Sequence, residues 1–128
     1  MSALIERVRL TAAAKQQLSA LKRRSGIEHY NVIARHALCA SLANKTKVPN
    51  EALQFSGGLE IDWPTFAGDS DATLTNILIL RAIAEEGTSS PAAVRKVLHA
   101  HLHRGLGYLT SDPSSLNPGR VLISEAEH

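Results

Sequence analysis

The sequence predicts a mainly α fold, a short N-terminal strand followed by about four helices, that assembles as an oligomer. Three observations lead there. Arg7-Val8-Arg9-Leu10 alternates polar and apolar residues with the period of a strand that has one wet and one buried face. From Ala12 onward the apolar residues recur mainly at spacings of three and four, the mark of amphipathic helices. The third predicted helix is apolar almost all round, which in a chain of 128 residues favours burial against another subunit.

Each element follows from local chemistry. Thr11 offers a side-chain oxygen to the free N–H groups of the first helix. That helix buries Ala14, Leu18 and Leu21 and leaves Lys15, Lys22 and Arg23 outside the stripe. Gly26 ends it, and a second helix, roughly Glu28 to Leu42, carries Val32, Ile33, Ala37, Ala40 and Leu42. A strand, a capped helix, a glycine turn and a second helix resemble the ribbon-helix-helix DNA-binding unit. In that family two chains pair their strands into a ribbon whose outward side chains enter the major groove, which would point Arg7 and Arg9 at DNA. A solvated basic strand packed on its own helices fits the local pattern equally well.

Residues 44–68 are rich in turn formers. Leu53 to Phe55 and Leu59 to Trp63, separated by Ser56-Gly57-Gly58, suit either a small hairpin or a loop pinned by Trp63 and Phe66. Trp63-Pro64 is expected to close the segment in extended geometry. Asp69, Ser70 and Asp71 offer caps for the third helix, about Ala72 to Glu85, which Gly87 stops. Ser89 or Ser90 caps a fourth, with Pro91 in its first turn. Val94, Val97, Leu98, His101 and Leu102 mark its buried stripe, Gly105 is expected to end it, and Leu106 to Leu109 to fold back onto the core. This gives one helical domain over residues 1–109, with a Ser-, Pro-, Asn- and Gly-rich tail over 110–128.

Charge is segregated. Residues 1–48 hold nine Lys/Arg against two Asp/Glu, a net of +7, and residues 49–94 hold one against seven, a net of −6. The basic third suits phosphates. The acidic third could instead neutralise it, within one chain or between subunits. Aromatic content of 4% argues against a stacking platform for single strands. With one cysteine there is no internal disulfide, and with no apolar run near the roughly 20 residues of a membrane span, a reducing cytoplasm and no membrane are expected.

Catalytic and metal signatures are weak. There is no phosphate-binding loop, nucleophile elbow, HExxH or CxxC motif, so no enzyme activity and no cofactor are expected. His99 and His103 share a helix face and could hold a metal only if Cys39 or His36 supplied a further ligand. Cys39, mid-helix, reads as a core residue, and His101 as a side chain that satisfies a buried partner. Helix capping explains Asp69 and Asp71.

Three stretches resemble the DndE family of DNA sulfur modification proteins: Arg7-Val8-Arg9-Leu10-Thr11 with its two helices, Gly58-Leu59-Glu60-Ile61-Asp62-Trp63-Pro64-Thr65, and above all His101-Leu102-His103-Arg104-Gly105-Leu106-Gly107-Tyr108-Leu109. The likeness covers about residues 5–109. It implies a small helical protein working beside other Dnd components in bacterial DNA phosphorothioation, in which sulfur replaces a non-bridging phosphate oxygen. It further implies a homotetramer that binds nicked double-stranded DNA through surface lysines and is not the sulfur-transferring catalyst. The phosphate contacts expected here are Lys15, Lys22, Arg23 and Arg24, with Arg7, Arg9, Lys45 and Lys47 as further candidates. Two alternatives are a ribbon-helix-helix repressor that reads bases through Arg7 and Arg9, and an adaptor between proteins of the modification complex.

Overall fold

A computed structural model of the chain describes residues 4–49 and 52–112. Strand β1 (Arg7–Leu10) leads into α1 (Ala12–Ser25) and α2 (Tyr30–Leu42). After a loop come strand β2 (Leu59–Asp62), the short helix α3 (Trp63–Ala67) and a single 3-10 turn at Gly68–Ser70. Helices α4 (Asp71–Glu86) and α5 (Pro91–Ser111) complete the fold. Thr11 caps α1 as expected, its hydroxyl accepting from the Ala14 N–H at 3.0 Å. Ser90 does the same for α5, accepting from Ala93 N–H at 3.2 Å.

Helix α5 is the central strut, packing along α2 and also meeting α4, α1 and β1. Its buried stripe, Val94, Val97, Leu98, Leu102, Leu106 and Leu109, faces Leu18, Leu21, Ile33, Ala37 and Leu38 in one core. Gly105 does not end this helix, which runs through it to Ser111. A Cβ there would lie 1.7 Å from the Ala37 carbonyl oxygen, so the glycine lets the α2 and α5 backbones touch. Leu106 to Leu109 therefore continue the helix instead of folding back. Residues 113–128, most of the expected tail, lie outside the described residues.

The expected ribbon turns out to lie within the chain. β1 pairs antiparallel with β2, Arg7 opposite Asp62 and Arg9 opposite Glu60. Val8, Leu10 and Ile61 face the core while Arg7, Arg9, Glu60 and Asp62 face solvent. The far edge of β1 is occupied too, because the N–H groups of Arg9 and Thr11 donate to Nε2 of His99 and His103 at 3.0 and 3.1 Å. A second chain cannot add its strand there without displacing two α5 side chains. Leu53 to Phe55 form no hairpin with β2. Trp63-Pro64 opens α3 instead of closing an extended segment, and its indole N–H donates to Asp71 at 2.7 Å.

Helix α4 buries Leu74, Leu78 and Ala82 but leaves Ile77, Leu80 and Ile83 at 40%, 68% and 50% exposure. The all-round apolar helix thus has one face in the core and one unpartnered among the described residues. Cys39 is exposed on α2 and not in the core. Packing against the sulfur raises its pKa and outweighs the opposing pull of Arg35, so the thiol form is favoured.

Candidate nucleic-acid interface

The cations predicted from sequence divide into two classes. On the open face of the small sheet Arg7 meets Glu60 at 3.4 Å and Asp62 at 3.9 Å, and Arg9 meets Glu60 at 3.0 Å. Lys47 meets Glu86 at 3.3 Å, and that carboxylate also holds Lys96 at 3.0 Å. The two cations keep the Glu86 pKa below the ordinary carboxylate range. Part of the acidic middle of the chain therefore neutralises part of the basic third directly. Exposed ion pairs of this kind contribute little and can change partners.

Lys15, Lys22, Arg23 and Arg24 on α1, and Lys45 after α2, are exposed and have no ion pair among the described residues. The rotation of α1 brings Lys15, Lys22 and Arg23 round one side through Ser19. Arg24, nine residues or about two and a half turns from Lys15, is turned to the opposite flank. Two open depressions of about 480 and 520 Å³ share Ser19 and Arg23 as a divide. Lys15, Gln16 and Gly57 line one, and Lys22, Gly26 and Glu28 the other. The last-turn cations also complement the α1 dipole, but Lys15, in the first turn, has no such structural use.

A third feature is a cleft of about 460 Å³ between α5 and the loop before β2, with Leu53, Phe55, Val97, Ala100, His99 and His103 among its walls. Phe55 lies against both imidazoles, with ring centroids 5.4 and 6.2 Å away, and the Arg9 guanidinium covers it at 5.1 Å. The two histidines are not arranged for a metal. Each Nδ1–H donates one turn back, His99 to the Arg95 carbonyl at 2.8 Å and His103 to the His99 carbonyl at 2.7 Å. Each Nε2 accepts a backbone N–H from the β1 segment, so both rings are held neutral. Burial pushes the His99 pKa down to about 4 against the pull of its hydrogen bond to the Arg95 carbonyl, with the positive charges of Arg9 and Arg95 adding to the burial effect. No group of three potential metal ligands occurs among the described residues.

His101 finds the buried partner expected of it. Its Nε2 lies 2.9 Å from Glu85 and its Nδ1 2.8 Å from the Ser41 hydroxyl. Burial lowers its pKa against the pull of Glu85. A serine, a histidine and a carboxylate in a row have the order of a hydrolytic triad. Ser41 and His101 are fully buried, however, and Ser41 Oγ also accepts from Arg104 Nε at 2.8 Å, so no substrate reaches it. The network has a structural task. Arg104 donates to the Ser41 and Thr46 carbonyls and Arg81 to those of Leu42 and Asn44, capping the C-terminal end of α2. Sequence reading missed this pair, since both arginines come from distant helices.

The family model for DNA sulphur modification protein DndE matches residues 7–117. The chain belongs to the DndE family. A crystal structure of DndE from Escherichia coli B7A, described as involved in DNA phosphorothioation modification, superposes on it with a TM-score of 0.70 at 23% identity. The match covers 84% of this chain and 98% of that one, and shows the DndE fold. No curated protein matches the chain in sequence. Family membership places the chain among DNA sulphur modification proteins, and among the described residues no helix is long and apolar enough to cross a membrane.

Proposed function

We propose that this DndE-family protein is a non-catalytic DNA-binding component of a bacterial phosphorothioation system. In this reading it works in the cytoplasm beside the other Dnd proteins and prefers nicked double-stranded DNA. The observation that carries the reading is the α1 cation cluster, Lys15, Lys22 and Arg23, left without carboxylate partners among the described residues while Arg7, Arg9 and Lys47 have theirs. Unpaired cations beside open depressions suit phosphate oxygens, which fix register without reading bases. Arg24 and Lys45 would extend the track, and Arg7, Arg9 and Lys47 would join by exchanging their acidic partners. A nicked duplex bends onto such a surface at lower cost than an intact one. The bare α4 face supports self-association, and a homotetramer would repeat the cation cluster around a wrapped duplex.

The test is a salt titration of binding to intact, nicked and gapped duplexes of one sequence. Binding should weaken steeply with salt, be strongest for the nicked duplex and show no base preference. Reversing Lys15, Lys22 and Arg23 to glutamate should lower the log–log salt slope by roughly 0.9 for each phosphate no longer neutralised. The double change Arg7→Ala with Arg9→Ala should do less. Equal and undetectable binding to all three duplexes would reject this reading in favour of a protein adaptor.

A further inference from the structure

The cleft beside α5 has a chemistry unlike that of the basic face it adjoins. Its histidines have no hydrogen-bonding capacity left to offer, since both ring nitrogens of each are engaged. The charged residues among its walls are engaged as well: Glu86 lies between Lys47 and Lys96, Glu85 meets Arg81 and His101, and Arg104 is spent on carbonyls and Ser41. Between these paired charges it presents the Phe55 and imidazole rings together with Leu53, Val97 and Ala100, and Arg9 lies over one face of Phe55 at 5.1 Å. At about 460 Å³ it lies within the roughly 300–1,000 Å³ typical of small-molecule sites. With its charges paired and its rings exposed between them, such a lining suits a neutral aromatic ring better than a bare phosphate.

Its position decides which ring. Residues 55–58 form one tight turn, closed by the Gly58 N–H donating to the Phe55 carbonyl at 3.1 Å. On one side of that turn Phe55 walls the cleft. On the other, Gly57 walls the depression that holds Lys15 and Arg23. The phosphate track and the apolar cleft therefore share the wall that this turn makes.

We infer that the cleft captures the unpaired nucleobase at a broken strand end, so that a nick is recognised by its terminal base while the flanking phosphates lie along α1. This rests on the DNA-binding reading given above. An intact duplex holds its bases paired and covalently continuous, and taking one out is costly; a base at a strand end leaves the stack more readily. A wall made of Phe55 and two imidazoles whose ring nitrogens are already engaged would accept any base, because every base has a π-face. The device differs from a platform that follows a single strand, for which this chain has too few aromatics.

The experiment compares the wild-type protein on three duplexes of one sequence: intact, nicked, and nicked with abasic residues at both strand ends of the nick. The abasic substitution should weaken binding to the nicked duplex by roughly 5- to 150-fold, the effect of removing one base–aromatic stack. Phe55→Ala should weaken binding to the nicked duplex equally and cause no further loss on the abasic one. A 2-aminopurine at the nick should change its emission on binding in the wild type only. The abasic arm leaves the protein untouched, so it stands even where Phe55→Ala disturbs the histidines behind it. A nick preference that survives the abasic ends overturns the inference and leaves the phosphate reading intact, as does equal binding to nicked and intact duplexes. No binding to any duplex overturns both.

Discussion

Gly105 and Gly107 lie two residues apart in α5 and face opposite surroundings. A methyl group on Gly105 would collide with the Ala37 backbone at 1.7 Å, whereas one on Gly107 would meet nothing within 4 Å. Gly105→Ala should therefore push α2 and α5 apart, at a cost on the order of 3 kcal/mol or more. Gly107→Ala should stabilise the helix by roughly 0.5–1 kcal/mol. Thermal melts of the two variants, falling and rising by several degrees respectively, would check the pair. Gly105 also shows where local reading fails. A glycine after an amphipathic run is a sound stop signal, as Gly26 and Gly87 demonstrate by closing α1 and α4 in the left-handed conformation. The same residue is equally needed where two backbones touch, and only the partner helix separates the two uses. Cys39 failed for a related reason, because a small apolar residue in mid-helix says nothing of which face it occupies.

Among the elements, α4 was the most legible and the most consequential. Its apolar surplus was plain in the sequence, and the fold resolves it into a buried stripe and an outward row of Ile77, Leu80 and Ile83. If that row is the self-association surface, Leu80→Glu should leave the helical content unchanged and reduce the assembly to a smaller species in analytical ultracentrifugation. An unchanged sedimentation profile would remove α4 from the interface. The strands were half legible. Alternation identified β1 and its outward arginines, and α1 followed with its cap in place. The partner of β1 could not be read locally, since Arg7 pairs with Asp62, far along the chain, and the remaining edge is filled by helix side chains, a pairing with no periodic signature. The family resemblance to a strand-helix-helix unit was sound in order and misleading in pairing.

At the scale of the whole molecule, charge and protonation are organised around one joint, where β1 is bound by His99 and His103 of α5. Sequence showed that the basic and acidic thirds could cancel, but only the fold shows that they cancel over the sheet and at Lys47 and spare α1. The histidine joint also makes global stability depend on pH. Unfolded, His99 takes a proton below a pKa of about 6.5; folded, it resists until about 4. The unfolded chain binds more protons across that window, so stability is fully present above about pH 6.5 and is lost as pH falls toward 4. After allowance for partial exposure this loss should be on the order of 2–3 kcal/mol, and His101, also shifted down, adds in the same direction. His99→Gln keeps an acceptor for the Arg9 N–H without titrating. Melting temperature measured from pH 7 to pH 4.5 should fall less steeply in that variant than in the wild type. The joint has a further consequence in time. Arg9 and Thr11 are bound by residues 90 and 92 positions later, contacts of a separation that slows folding. During synthesis at roughly 5–20 residues per second, the basic N-terminal strand emerges first and waits several seconds for the helix that secures it. In that interval the nascent chain exposes an unpaired strand edge beside its densest positive charge, and the histidines of α5 are the parts whose arrival ends the exposure.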